Sequence, residues 1–212
     1  SLGQKLVRLS ENATHDYYRL PRKNVVFGKW IEHSGWWPDY QIRFFKKGAV
    51  VWGDEIHSVP ITYGKGTDLA ATEDNSLVHY HYQSVSQYLE RLNRYTSQEV
   101  KQLRQQGRKF DLVNMVRKPS GEFLTRYFVW EGYKDGLHGL ALALLQAVSF
   151  LVVELKLWEA GQFTEISQKE VEITLQPETK KFWREFNYWF YTQKSKRESG
   201  AEQMLTKLRA KL

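Results

Sequence analysis

Apolar positions near the start of the chain recur at helical spacing. Leu2, Leu6, Val7 and Leu9 share one face and end at Ser10-Glu11-Asn12, which predicts a helix there. Between Tyr17 and Lys46 the pattern turns aromatic and β-branched, notably in Asn24-Val25-Val26-Phe27 and Gln41-Ile42-Arg43-Phe44-Phe45, with interruptions at Gly28, Gly35 and Pro38. These runs predict strands joined by a tryptophan-rich loop. Lys47-Gly48 marks a turn, and Ala49 to Trp52 and Ile56 to Ile61 supply further short extended pieces. Leu77 to Tyr82 alternates with period two and predicts the last strand.

Beyond Tyr82 the strand signals largely stop. Ser84-Val85-Ser86-Gln87 and Thr96-Ser97-Gln98-Glu99 both fit a capping box, so two consecutive helices are expected over 84–107. Glu122 to Trp130 reads as a further helix and Gly132 to Gly136 as a loop. A long apolar helix follows over 137–158, then a helix from Pro177, a residue suited to a first turn, to Lys194. Ala201 to Leu212 is a basic amphipathic tail. The predicted fold class is α+β, with a portion of short strands over 1–83 and a mostly helical extension over 84–212. No internal repeat is visible.

Leu140 to Val153 is the most hydrophobic stretch, yet it spans about fourteen residues and contains Gln146 and Ser149. A spanning helix wants ~20 apolar residues, so burial or an interfacial position is expected, and the charges after Val153 argue against extending it. Rings at Phe182, Trp183, Phe186, Tyr188, Trp189, Phe190 and Tyr191 interleave with Lys180, Lys181, Arg184, Lys194, Lys196 and Arg197. That mixture suits a headgroup layer, so the basic aromatic tail 177–212 is expected to lie on an anionic membrane surface in monotopic fashion.

A formal charge of +7 and a pI near 9.4 favour polyanionic partners such as phospholipid, phosphorylated glycolipid or nucleotide diphosphate. Eight Trp, twelve Tyr and eleven Phe favour surfaces that hold sugars, bases or headgroups. The absence of cysteine excludes disulfides, thiolate metal sites and cysteine nucleophiles. Signatures of phosphate-binding loops, zincins, nucleophile elbows and dinucleotide folds are missing, and no known nucleic-acid module accompanies the basic tail, which sets nucleic acid aside as a partner. The chain opens without methionine and with a helical pattern already under way, which suggests a truncated or processed chain.

Chemistry-bearing side chains concentrate over 19–60: Arg22, Lys23, Asn24, Trp30, His33, Trp36, Trp37, Asp39, Gln41, Arg43, Asp54, Glu55 and His57. Sugar transfer needs aromatic faces for the ring, a carboxylate to take a hydroxyl proton and cations to steady a leaving diphosphate, and this stretch offers all three. Leu20-Pro21-Arg22-Lys23-Asn24 leading to Phe27-Gly28-Lys29-Trp30, then Gly35-Trp36-Trp37-Pro38-Asp39-Tyr40-Gln41-Ile42-Arg43-Phe44-Phe45, resembles family 2 glycosyltransferases of the lipopolysaccharide-core glucosyltransferase type. The similarity continues through Trp52 to His57, His79 to Tyr82, Leu92 to Thr96 and Gly132 to Gly139, and so covers roughly 20–158.

The resemblance implies a GT-A fold, of which 1–83 would be the acceptor-side portion of the α/β domain and 84–212 a membrane-facing helical extension. The family's Asp-x-Asp, which holds a divalent Mg or Mn on the sugar diphosphate, occurs nowhere in this sequence. By similarity the chain starts just beyond that motif, without the donor-binding half and the principal metal ligands. The family's spacing of an acid, an arginine and a glycine falls on Asp39, Arg43 and Gly48. Asp39 is then the expected general base of an inverting attack, with Asp54 or Glu55 as alternatives. Arg22, Gln41 and Arg43 would contact diphosphate or acceptor, Trp36 and Trp37 would wall the acceptor sugar, and His57 would complete the metal shell. The resemblance thus implies transfer of a hexose from a nucleotide-sugar donor to a glycolipid or saccharide acceptor at the cytoplasmic face of the inner membrane. A non-catalytic acceptor- or membrane-binding module is the alternative.

Overall fold

The computed structural model describes residues 1–53 and 60–210. The chain divides into two compact units, Ser1–Gln83 and Ser84–Leu212. The first is a mixed α/β region around an open sheet, and the second is mostly helical and includes one apolar helix.

In the first unit, helix α1 (Leu2–Glu11) precedes β1 (Tyr17–Val26), the strand on which the sheet is built. Strands β2 (Lys29–Trp30) and β3 (Asp39–Phe45) pair with it antiparallel, whereas β6 (Gly66–Asp68) and β7 (Leu77–Tyr82) pair with it in parallel. Strands β4 (Val50–Val51) and β5 (Ile61–Thr62) form a separate antiparallel pair. The β1–β2 connection is a two-residue hairpin turn in which Phe27 and Gly28 both have positive φ, the twist that matches the flanking strands. Pro21 lies within β1 although it lacks an N–H. Parallel pairing on β1 covers Tyr17–Arg19 through β6 and Arg22–Val26 through β7, so Pro21 falls where one partner gives way to the other. Tyr18, Leu20, Val26, Ile31 and Tyr82 are among the buried residues here.

The second unit departs from the expected helix boundaries in three places. A single helix, α2 (Val85–Gln105), replaces the two expected, because the Thr96 hydroxyl donates back to Leu92 O at 2.8 Å instead of capping a new start. Its buried positions Tyr88, Leu92, Thr96 and Val100 fall at every fourth residue, one face of the helix. The helix expected at Glu122 begins at Leu112, where the Asp111 carboxylate accepts from the N–H groups of Val113 and Asn114. This helix, α3 (Leu112–Leu124), runs on into a π-helical turn over Thr125–Val129. Gly132–Asp135 is a 3₁₀ turn leading into α4 (Leu137–Ala160). Pro177 starts no helix: α5 (Gln168–Ser195) opens on a Ser167–Glu170 capping box and carries Pro177 inside it. Helix α6 (Gly200–Arg209) closes the unit. α4 packs against α2 and α3, while α5 packs against α3 and α6.

Helix α4 also outruns its expected apolar limit. Glu154 lies inside it, as it does in the expected helix 137–158, with 0 % exposure, and its Oε1 accepts from Arg108 at 2.7 Å and Lys118 at 2.9 Å, so the charge that argued against extending the apolar stretch is neutralised from α3 and the α2–α3 segment. At 24 residues the helix is long and apolar enough to cross a membrane by length and composition, and 33 % of its most apolar window is buried inside the protein. Leu137, Leu144 and Val148, spaced along one face, are exposed.

Candidate functional site

Of the residues expected to carry chemistry, Arg22, Asp39 and Gln41 meet at the β1–β3 pair of the first unit. Antiparallel register sets Arg22 opposite Asp39 and Leu20 opposite Gln41. Arg22 donates from Nε at 2.7 Å and from Nη2 at 2.5 Å to Asp39 Oδ2, and Gln41 Nε2 donates to Oδ1 at 2.8 Å. Asn24, 1 % exposed, ties this pair to the rest of the site. Its Nδ2 donates to Asp39 Oδ2 at 2.9 Å and to Trp36 O at 3.0 Å, while its Oδ1 faces His79 Nδ1 at 2.7 Å. Because both amide hydrogens of Asn24 point at acceptors, the oxygen must accept, and His79 carries its proton on Nδ1.

Burial raises the Asp39 pKa, but the hydrogen bonds from Asn24, Arg22 and Gln41 and the Arg22 charge outweigh it and hold the carboxyl below its ordinary value. A carboxylate accepts about four hydrogen bonds. Oδ2 is taken by Arg22 and Asn24, so the capacity left for a ligand hydroxyl sits on Oδ1.

Aromatic rings surround this cluster. The Trp36 ring meets His81 at 5.4 Å and Tyr82 at 6.4 Å, and Trp37 stands edge-on to Trp30 at 5.4 Å. Lys23 Nζ lies 4.1 Å from the Trp30 ring centre, a cation–π contact. The Trp37–Pro38 bond is cis and leads directly into Asp39.

Arg43 makes no hydrogen bond to this cluster. Tyr18 pairs with Phe44 and Arg19 with Ile42, so Arg43 is the extra residue of a β-bulge, the kind of irregularity that re-aims a side chain. It donates to Ile42 O at 2.8 Å and stacks 5.6 Å from the Trp52 ring centre. His57 and the alternative acids Asp54 and Glu55 lie outside the described residues. The site also includes Asn24, one of the chemistry-bearing residues of 19–60 though given no role of its own, and His79, which residue chemistry alone did not single out. Alternation in Leu77 to Tyr82 puts His79 and His81 on one face of a strand, and that was the available signal.

No family model matches this chain, and no solved structure is significantly similar to it. Among the described residues no group of three or more His, Asp or Glu is arranged to hold a metal ion. Asp39 and His79 spend oxygen and nitrogen on Arg22 and Asn24, so the described part of the site does not fit the divalent ion of family 2 enzymes.

Proposed function

We propose that this chain is the acceptor-side part of an inverting, family 2-like glycosyltransferase that works at the cytoplasmic membrane surface. The observation that carries the reading is the convergence of Arg22, Asn24 and Gln41 on Asp39 beside Trp30, Trp36 and Trp37. A saccharide held on tryptophan faces would bring one hydroxyl to Asp39 Oδ1. That oxygen would take the hydroxyl proton as the sugar oxygen attacks the anomeric carbon of a nucleotide-sugar donor, whose diphosphate departs with the bond electrons. Arg43, set apart by the bulge, would serve diphosphate or acceptor at the rim. The exposed apolar face of α4 and the interleaved rings and cations of α5 would seat the chain on the bilayer that carries a lipid-linked or lipopolysaccharide-core acceptor.

A second reading has an observation of its own. A carboxylate held below its ordinary pKa is a weaker base, so Asp39 is better suited to gripping a hydroxyl than to removing its proton. On that reading the chain is a non-catalytic acceptor- or membrane-binding module. Transfer of labelled sugar from nucleotide donors to membrane lipid extracts by the full-length protein separates the two. The transferase reading expects turnover that Asp39→Asn abolishes while acceptor binding persists. Saccharide-lipid binding without turnover selects the module, and a chain that binds neither acceptor nor membrane refutes both.

A further inference from the structure

One end of α4 has no part in that reading. There the C-terminal turns of α2 and α4 and the segments after them enclose a groove of about 650 Å³, lined by Arg104, Arg108 and Lys109 together with Phe110, Trp158 and Ile166. Its three cations are held differently. Arg108 donates to the buried Glu154, so its charge is already matched. Arg104 and Lys109 have no carboxylate partner among the described residues. The end of α2 offers Arg104 only the partial negative charge of a helix C-terminus, and Lys109 lies beyond the helix.

The apolar wall is fixed by a strained segment. Trp158 Nε1 donates to Thr164 O at 2.8 Å, and its ring packs against Phe110 at 6.2 Å and Phe163 at 5.1 Å. To make this turn the backbone takes left-handed conformations at Gln162 (φ 58°) and Phe163 (φ 52°), neither of them glycine. Such strain persists only where the surroundings impose it, and it concentrates at ligand sites.

We propose that this groove seats the terminal phosphate of an anionic lipid, with the phosphomonoester against Arg104 and Lys109 and the adjoining chain along Phe110, Trp158 and Ile166. A phosphomonoester carries about −1.5 to −2 charge near neutral pH, which matches two unpaired cations. The groove closes one end of a helix whose exposed positions, Glu159 at that end apart, are apolar, and a tryptophan with cations at such an end belongs in the headgroup layer, which favours a lipid over a soluble phosphate.

This inference rests on the membrane half of the proposed function and is independent of the transferase half. The test is co-sedimentation of the whole chain with phosphatidylcholine vesicles doped with phosphatidic acid or phosphatidylserine, matched in surface potential. Diffuse attraction follows the potential alone and would treat the two alike, whereas a seated phosphate predicts about tenfold tighter binding to phosphatidic acid. Arg104→Gln with Lys109→Gln brings that ratio to about one, while Arg108 is kept because its loss would take one of the two cations from the buried Glu154. Equal binding to both vesicles, a preference that survives the two substitutions, or binding of inorganic phosphate as tight as that of the vesicles overturns the proposal. A chain that binds no anionic vesicle overturns the membrane reading with it. A full-length protein that shows the preference yet transfers no sugar removes the transferase reading and leaves this one standing.

Discussion

Asp39 in the first unit and Glu154 in the second each gather donors from other elements, but they are held in opposite ways. Glu154 is fully buried, with both cations on Oε1 and Oε2 enclosed without a hydrogen bond. Asp39 keeps 23 % of its side chain exposed and has all its donors arranged, with one oxygen less crowded than the other. A buried acid with matched cations fastens helices together and has nothing to offer a ligand. A partly exposed acid with ordered donors holds a defined orientation and still has somewhere to put a hydroxyl. The difference in burial, more than the difference in charge, separates the fastening from the candidate site.

The strongest way to break this contrast is to strip Glu154 of its partners. Arg108→Met with Lys118→Met leaves a carboxylate in an apolar helix interface, and loss of about 3–5 kcal/mol is expected. Urea unfolding followed by far-ultraviolet circular dichroism would read it, with either single substitution costing less because one cation remains. A double variant within about 1 kcal/mol of the native chain would mean that Glu154 reaches water and fastens nothing.

The first unit answers with Asn24→Ala. One substitution takes one hydrogen bond each from Asp39 Oδ2, Trp36 O and His79 Nδ1, and loss of about 1–3 kcal/mol is expected. Hydrogen exchange of the β1 amides is the readout. Asn24→Asp should be worse, since it sets a second carboxylate against Asp39 and against the Trp36 carbonyl. Unchanged β1 protection would show that Asn24 does not organise the cluster.

Local signals foretold some of these elements and missed others for identifiable reasons. Alternation in Leu77 to Tyr82 and the Ser84 cap mark where strand gives way to helix, because period and capping are both properties of adjacent residues. The same rules misjudged Thr96 and Pro177. A threonine hydroxyl can cap a new helix or bond back within an old one, and only packing against α4 decides. For Pro177 a stronger cue stood upstream, since Ser167 and Glu170 already form a capping box. Within the site, Asp39 and Gln41 were legible as neighbours on one strand face. Register was not: the bulge that removes Arg43 from that face depends on β1, and the Asn24–His79 contact joins residues 55 apart along the chain.

The smallest expected effect is a difference in acid sensitivity, and it sharpens the account of Asp39. A carboxyl whose folded pKa lies below its unfolded value binds fewer protons folded than unfolded. Its contribution is therefore complete above the unfolded value of about 3.9 and drains away as pH falls through the lower folded value. Protection of the β1 amides should decline below about pH 4 more steeply in the native chain than in Asp39→Asn, whose amide cannot titrate. Taking the difference between the two chains cancels other acids held low, such as Glu178 beside Arg117 and Asp16 beside Lys65 and Lys46. A difference that stays flat through the acid range would mean that the donors around Asp39 do not favour its charged form. The carboxylate would then have no reason to prefer Arg22 over a ligand hydroxyl, and the site would lose the ordered acid on which its chemistry depends.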